Sequence, residues 1–144
     1  MRVLADSSVL IAAMVESHPD HSRAFPWLRR AITGEIDLVV SAHTLLETYA
    51  VLTTLPVRPR IRPDTARRLI RDNVASVATV VALDLGDYEA VLDDVSTLAL
   101  PGGIVYDALV ARAARKSAAD KLVTLNVADF RRVWLEASDR VIEP

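Results

Sequence analysis

The chain has 144 residues, of which 51% are hydrophobic and 25% are charged, and this predicts a single domain spanning 1–144 with a sizeable core. The absence of cysteine excludes disulfides, thiolate metal sites and a cysteine nucleophile, and the net charge of −2 lacks the basic excess of many nucleic-acid-binding domains. A charge comes too early for a signal peptide and no apolar run reaches the ~18 residues of a membrane span, so we expect a cytoplasmic protein.

In chain order, the first half of the sequence predicts alternating strands and helices. They are a strand at 2–5, a helix from Ser7 or Ser8 to about 16, a helix capped by Asp20 that runs to 32, a strand at 38–41, a helix at 42–54 and a basic helix at 64–75. Pro26 is a candidate kink in the second helix, and Gly34 is its expected terminator. Pro56 ends the third helix, and the segment 56–63, rich in proline and arginine, is predicted to be an exposed connection.

The second half continues this alternation. It predicts a strand at 79–83, a helix at 86–98, a turn at 101–103, a helix at 104–116, a strand at 121–124, a helix at 127–134 and a strand at 140–142. The strands are continuous apolar runs separated by helices, a pattern that is typical of strands buried on both faces. The predicted fold class is therefore α/β, a three-layer α/β/α sandwich with a central, mostly parallel sheet.

Polar side chains follow the predicted strands, where open α/β sheets bind their ligands. Asp6 comes directly after the first strand, and Glu47 lies in the helix after the second. Asp107 lies in the first turn of the sixth predicted helix, Asn126 follows the fourth strand, and Asp129 comes three residues later. We expect Asp6, Glu47 and Asp107 to converge at one edge of the sheet.

Such convergence would need a positive charge. Glu47 and Asp107 lie in helices that are apolar nearly all round, which predicts burial on several sides. Two like charges about 4 Å apart repel by about 4 kcal/mol at an effective dielectric constant of about 20, so three require a cation or strong pKa shifts. With oxygen ligands only, the expected ion is Mg²⁺ or Mn²⁺, which could activate water and stabilise charge on a phosphate.

Ordinary structural roles are open to each of these residues as well. Asp6 could cap a helix, Glu47 could pair with an arginine, and Asp107 could interact favourably with a helix dipole. His43 lies four residues before Glu47 on the same helix face, where it could assist proton transfer or simply form a hydrogen bond. The proposed site depends on the joint placement of the acids and not on any one of them.

Basic residues are concentrated in two places. Six arginines fall within fourteen residues and could guide nucleic-acid phosphates or form a solvated surface: Arg58, Arg60, Arg62, Arg67, Arg68 and Arg71. The second group lies at the C-terminal end of helix 104–116, where it could contact nucleic acid or favour the helix dipole: Arg112, Arg115 and Lys116.

Four segments, in the right order and over nearly the whole chain, resemble the motifs of the PIN-domain family and, within it, the VapC-like toxins of bacterial toxin–antitoxin pairs. They are RVLADSSVLIAAM with Asp6, VVSAHTLLETYAVL with Glu47, GGIVYDALVARAA with Asp107, and KLVTLNVADFRRV with Thr124, Asn126, Asp129 and Phe130. Each motif alone is weakly specific, whereas four in order are more so.

The resemblance implies a PIN-like sandwich and an endoribonuclease that cuts single-stranded RNA with Mg²⁺ or Mn²⁺. It also implies a homodimer and a cognate antitoxin whose peptide blocks the site. On this resemblance Asp6, Glu47 and Asp107 are the catalytic acids. Asp6 and Asp107 are the principal metal ligands, Glu47 completes the shell or orients water, and Asn126 and Asp129 are further candidate ligands.

The chain departs from the family pattern at one position. Asn126 stands where many relatives have a fourth aspartate, so a second ion stays open, and Asp129 is the candidate substitute. This departure and the mild net acidity motivate an alternative function, a catalytically silent PIN-like module that binds RNA or protein. A third hypothesis is a phosphoacceptor signalling domain, which is disfavoured because Asp6 has no acidic neighbour and Lys121 precedes its strand.

Overall fold

A computed structural model describes the whole chain, residues 1–144, and is built around one five-stranded sheet. The strands are β1 Arg2–Ala5, β2 Asp37–Ser41, β3 Thr79–Val81, β4 Lys121–Val123 and β5 Val141–Ile142. They are arranged in the order β3-β2-β1-β4-β5, and every neighbouring pair is parallel. The sheet is thus entirely parallel, in agreement with the predicted fold class.

Seven α-helices connect the strands. They are α1 Ser7–Met14, α2 His21–Ile32, α3 Ala42–Leu52, α4 Pro63–Ile70, α5 Leu85–Thr97, α6 Ile104–Lys116 and α7 Val127–Val133. A π-helical turn continues α4 at Arg71–Ala75, and a 3₁₀ segment precedes β5 at Leu135–Arg140. None of the helices combines the length and apolar character needed to cross a bilayer.

Side chains that alternate along the strands divide the core between the two faces of the sheet. One face packs against α5, α6 and α7 through Leu4, Val39, Leu122 and Val141. The other packs against α1 and α2 through Val3, Ala5, Leu38, Val40 and Val123. The central strands are buried on both sides, which explains their continuous apolar sequences and confirms the predicted three layers.

The strand order makes the end of β1 the position where an open parallel sheet is expected to bind a ligand. Along the chain β2 and β3 build outward on one side of β1, whereas β4 and β5 build outward on the other. Such a reversal opens a crevice at the carboxyl end of the central strand, directly before Asp6. In flavodoxin-like signalling domains β1 lies between β2 and β3 instead, so the phosphoacceptor hypothesis is wrong about the architecture.

Every predicted strand and helix is present, and the differences lie mainly at their ends. The strand predicted at 79–83 stops at Val81 because its only partner, β2, ends opposite it at Ser41. Gly34 follows α2 with a φ of +76°, as its predicted terminating role requires. The 3₁₀ segment before β5 was not predicted, because its sequence has no periodic apolar pattern.

An acidic side chain far from the predicted site joins α5 to α6. Asp87 is only 4% exposed, forms a capping box with Asp84 and accepts hydrogen bonds from Arg112 and Lys116. These basic partners hold the pKa of Asp87 well below its usual range. Arg115 pairs separately with Glu136 at 2.6 Å. The basic end of α6 is therefore held by ion pairs within the fold, so the suggestion of a nucleic-acid contact there is not needed.

Candidate functional site

Asp6 occupies the position between β1 and α1, and its side chain does not cap the helix. Its backbone stands at the N-cap, but the carboxylate forms no capping hydrogen bond to α1. Instead it accepts hydrogen bonds from the Ser8 hydroxyl at 2.8 Å and from the Thr124 hydroxyl at 3.0 Å. The ordinary explanation of Asp6 as a helix cap is therefore wrong, and its buried carboxylate is held by two hydroxyl groups.

These two hydroxyls are fixed as donors to Asp6 by a second set of hydrogen bonds. Ser8 Oγ accepts from the backbone N–H of Leu125 at 3.0 Å, and Thr124 Oγ1 accepts from the backbone N–H of Asn126 at 2.9 Å. Both donors lie in the segment that follows β4, the strand paired with β1. The ends of the two strands thus orient one carboxylate. Thr124 appears in the fourth sequence motif, whereas Ser8 was considered only as a helix cap.

Asp107 lies in the first turn of α6 and is partly buried. Burial, followed in order of size by the negative charges of Asp6, Asp129 and Glu47, raises the pKa of its carboxyl to about 7. A favourable helix dipole acting alone would lower this pKa, so the dipole is not the dominant influence. Asp107 therefore lies within reach of the charges of the other three acids, and their convergence at this edge of the sheet stays a prediction.

No arginine or lysine compensates the three principal acids. The ion pairs of the fold include neither Asp6 nor Asp107. Glu47 lies on α3, and its partner is His43, with 3.4 Å between Nε2 and Oε2. The alternative that Glu47 pairs with an arginine is therefore wrong, and the negative charge of the cluster is left without a neutralising side chain.

The helix that carries Glu47 is less buried than its sequence indicates, and both acid-bearing helices expose a large apolar side chain beside the acid. The side chain of Glu47 is 40% exposed. Its neighbour Leu46 is 72% exposed, and Tyr106, next to Asp107, is 57% exposed. The prediction of burial on several sides is confirmed for α6, where the four consecutive residues 108–111 are buried. It is wrong for α3, whose buried residues Thr44, Thr48 and Leu52 lie on one side of the helix. Glu47 and Asp107 are thus partly accessible, and five surface clefts of the molecule are lined by residues other than Asp6, Glu47 and Asp107.

Asn126 and Asp129 lie together beside the other acids. The Asn126 amide donates a hydrogen bond to Asp129 at 3.0 Å, and Asp129 also contacts Arg132 at 3.4 Å. Asp129 adds to the repulsion that acts on Asp107, so a fourth negative charge is present despite the asparagine. Their assignment as metal ligands stays a prediction.

The donor set fits a hard divalent cation in its chemistry. Four carboxylates and the asparagine side chain offer oxygen atoms, which are the ligands that Mg²⁺ and Mn²⁺ prefer. The elevated pKa of Asp107 shows that these carboxylates would gain from a nearby positive charge. As placed, no three acidic or histidine side chains converge on one common ligation point, so side-chain rotation would accompany binding.

Known proteins share both this sequence pattern and this fold. The PIN domain family model matches residues 3–134. Ribonuclease VapC40 of Mycobacterium tuberculosis is 36% identical over 122 residues, which cover 85% of this chain and 84% of the relative. Among solved structures, VapBC2 from Rickettsia felis, bound to a DNA fragment from its promoter, is similar with a TM-score of 0.69 and 18% identity over 100% of this chain and 99% of the other. The M. tuberculosis VapC20, a toxin that cleaves the sarcin–ricin loop, has a TM-score of 0.65 and 17% identity over 83% and 86%.

Thr124→Val tests the hydroxyl support of Asp6. This change removes one of the two hydroxyl donors to the buried Asp6 carboxylate and leaves the Asn126 N–H without its acceptor, so we expect the free energy of unfolding to fall by about 1–3 kcal/mol in urea denaturation. Thr48→Val is the matched control. Thr48 is equally buried, but its hydroxyl bonds only to the backbone carbonyl of Thr44 in the same helix. Equal losses in the two variants would contradict the supporting role of Thr124.

Asp107→Asn tests the charge repulsion through pH. The pKa of the Asp107 carboxyl is raised from 3.8 to about 7 in the folded protein. At low pH the carboxyl is protonated in both the folded and the unfolded chain, so it does not change the free energy of unfolding. Above about pH 7 it is ionised in both, and its effect of lowering the free energy of unfolding is largest. In metal-free buffer the variant should therefore be more stable than the parent at pH 8, by about 1 kcal/mol after discounting for solvent screening, and no more stable at pH 4.

Urea denaturation at both pH values measures this difference. Asp93→Asn, at an exposed position on α5, controls for the loss of a carboxylate outside the site. A variant that is less stable than the parent at pH 8, or a gain that is the same at pH 4, would contradict the repulsion.

Proposed function

The chain belongs to the PIN-domain family, and from this premise we propose that it is a ribonuclease that hydrolyses RNA phosphodiester bonds and acts as the toxin of a toxin–antitoxin pair. The similarity to ribonuclease VapC40 supports the activity. The single observation that carries the proposal is the repulsion that Asp6 and Glu47 exert on Asp107, with no arginine or lysine paired to any of the three.

We further propose that catalysis depends on Mg²⁺ or Mn²⁺. Asp6 and Asp107 would hold the ion, with Glu47 completing the shell or orienting water, and Asn126 and Asp129 are the candidates for any further ligand. When bound, such an ion supplies Lewis-acid stabilisation of the charge that develops on the phosphate.

The residues of the chain prepare this chemistry in different ways. The Ser8 and Thr124 hydroxyls hold the carboxylate of Asp6 in a fixed orientation before substrate arrives. The carboxyl of Asp107 has a pKa of about 7, so it is partly protonated near neutral pH. This proton must leave when the site binds a positive charge. The Glu47 side chain is 40% exposed, and His43 contacts its carboxylate.

A cognate antitoxin and a homodimer are the partners proposed alongside the RNA substrate. VapBC2, to which this chain is similar in fold, was solved with a DNA fragment from its promoter. This similarity supports an antitoxin that forms a complex with this chain and binds the promoter of their genes. The homodimer is carried over from the family resemblance. Light scattering on the purified chain, alone and with the protein encoded next to it, measures both assemblies.

The nuclease proposal is tested by RNA cleavage with Mg²⁺ or Mn²⁺ and with a chelator. We expect Asp6→Asn and Asp107→Asn to lower kcat/KM at least ~100-fold, because each removes a carboxylate on which the metal site depends. The chelator should abolish cleavage by the parent. Asp93→Asn keeps the same change in charge outside the site and should cleave like the parent.

Cleavage at equal rates by the parent and both site variants would refute the assignment of these acids. A parent chain that binds RNA, takes up no divalent ion in calorimetry and cleaves nothing would instead identify the alternative, a catalytically silent binding module. Its motivation is Asn126, which offers the site no charge where many family members have an aspartate.

A further inference from the structure

Two aromatic rings are stacked at the margin of the acidic site. The rings of His43 and Tyr106 are nearly parallel, with 4° between their planes and 5.5 Å between their centroids. Because stacked rings are separated by only about 3.5 Å along their normal, this centroid distance requires a large lateral offset. Part of a ring face is therefore left uncovered, in keeping with the 57% exposure of Tyr106.

The position of this aromatic pair ties it to the acids. His43 lies on α3, one turn before Glu47, and its Nε2 is 3.4 Å from a carboxylate oxygen of Glu47. Tyr106 lies on α6, directly before Asp107. The pair thus bridges the two helices that supply Glu47 and Asp107. A flat group resting on it would lie beside the place where a phosphodiester meets the acidic cluster.

We propose that the stacked pair of His43 and Tyr106 is a platform for one unpaired nucleobase of the RNA that this site cuts. The inference rests on the proposed ribonuclease function and deepens it by naming how the substrate is seated. Unpaired bases stack on tyrosine and histidine side chains, whereas the bases of a duplex are already covered by their neighbours. The platform therefore selects single-stranded RNA and places the adjoining phosphate at the acids.

A protein partner is the competing occupant of this surface. Tyr106 also lines a cleft between α5 and α6 together with the exposed side chains of Tyr88 and Leu92. The observations favour the nucleobase, because His43 links the pair directly to Glu47. The cleft residues Tyr88 and Leu92, in contrast, lie on α5, which carries none of the four acids of the site.

The test compares cleavage of a short single-stranded RNA by the parent, Tyr106→Ala, Tyr106→Phe and Tyr49→Ala. Tyr49 is the matched control, since it is an exposed tyrosine on α3 that lies two residues from Glu47 and so projects from another side of the helix. Loss of a stacked base costs about fivefold to a hundredfold in binding. We expect Tyr106→Ala to raise KM about tenfold with a smaller change in kcat, and Tyr106→Phe and Tyr49→Ala to keep the parental KM.

A second readout does not depend on cleavage. RNA labelled with 2-aminopurine loses fluorescence when the labelled base stacks on a ring. We expect quenching by the parent and by Tyr106→Phe at one position of the strand, little quenching by Tyr106→Ala, and none with duplex RNA. Matching thermal melting curves show that the variants are folded.

The outcomes separate this inference from the function on which it rests. A parent that cleaves RNA, together with a Tyr106→Ala variant that has the parental KM and quenching, overturns the platform and leaves the nuclease in place. If Tyr106→Ala and Tyr88→Ala both change the molecular mass in light scattering while the KM for RNA stays parental, the surface is a protein interface and the platform is wrong. A parent that neither cleaves nor quenches overturns both.

Discussion

The site depends on one electrostatic constraint, which is that Asp107 lies within the repulsive field of three other carboxylates while no arginine or lysine pairs with Asp6, Glu47 or Asp107. Asp6, Glu47, Asp107 and Asp129 come from four separate stretches of the chain, and their mutual repulsion adds to burial in raising the pKa of Asp107 to about 7. A fold that only needed stability would neutralise or disperse such charges, as this one does at Asp87 with Arg112 and Lys116. The contrast within a single molecule supports the proposal that the first cluster is the functional site.

The parallel sheet makes this arrangement possible. Because β1 lies between β2 and β4, the residues that follow these three strands emerge at one edge. The end of β1 supplies Asp6, the helix after β2 supplies Glu47, and the segment after β4 supplies the hydroxyl of Thr124 that orients Asp6. The supporting hydrogen bonds run between backbone and side chain across adjacent strands. The rigid sheet therefore sets the position of Asp6, whereas Glu47, on a more exposed helix surface, has more freedom.

The features that are local in sequence were predictable. An acid directly after an apolar strand identified Asp6, and helix 104–116 was predicted with its observed bounds because its apolar pattern is strong.

Features that depend on partners distant in the sequence were not predictable. Arg112 and Lys116 pair with Asp87, which is 25 and 29 residues away, and no sequence pattern indicated this. Leu46 and Tyr106 belong to helices that are apolar nearly all round, yet each of these two side chains is more than half exposed. The aromatic pair of His43 and Tyr106 was missed for the same reason, since its members are 63 positions apart in the printed sequence.

The most direct test of this account is the pKa of the Asp107 carboxyl, measured by carbon-13 NMR titration of the metal-free protein and of its Asp6→Asn variant. The account predicts a value near 7 in the parent and a lower value in the variant, because removal of the Asp6 charge relieves part of the repulsion. An ordinary aspartate pKa near 4 in both proteins would show that the acids do not converge, and the metal site and the nuclease mechanism built on it would then be wrong.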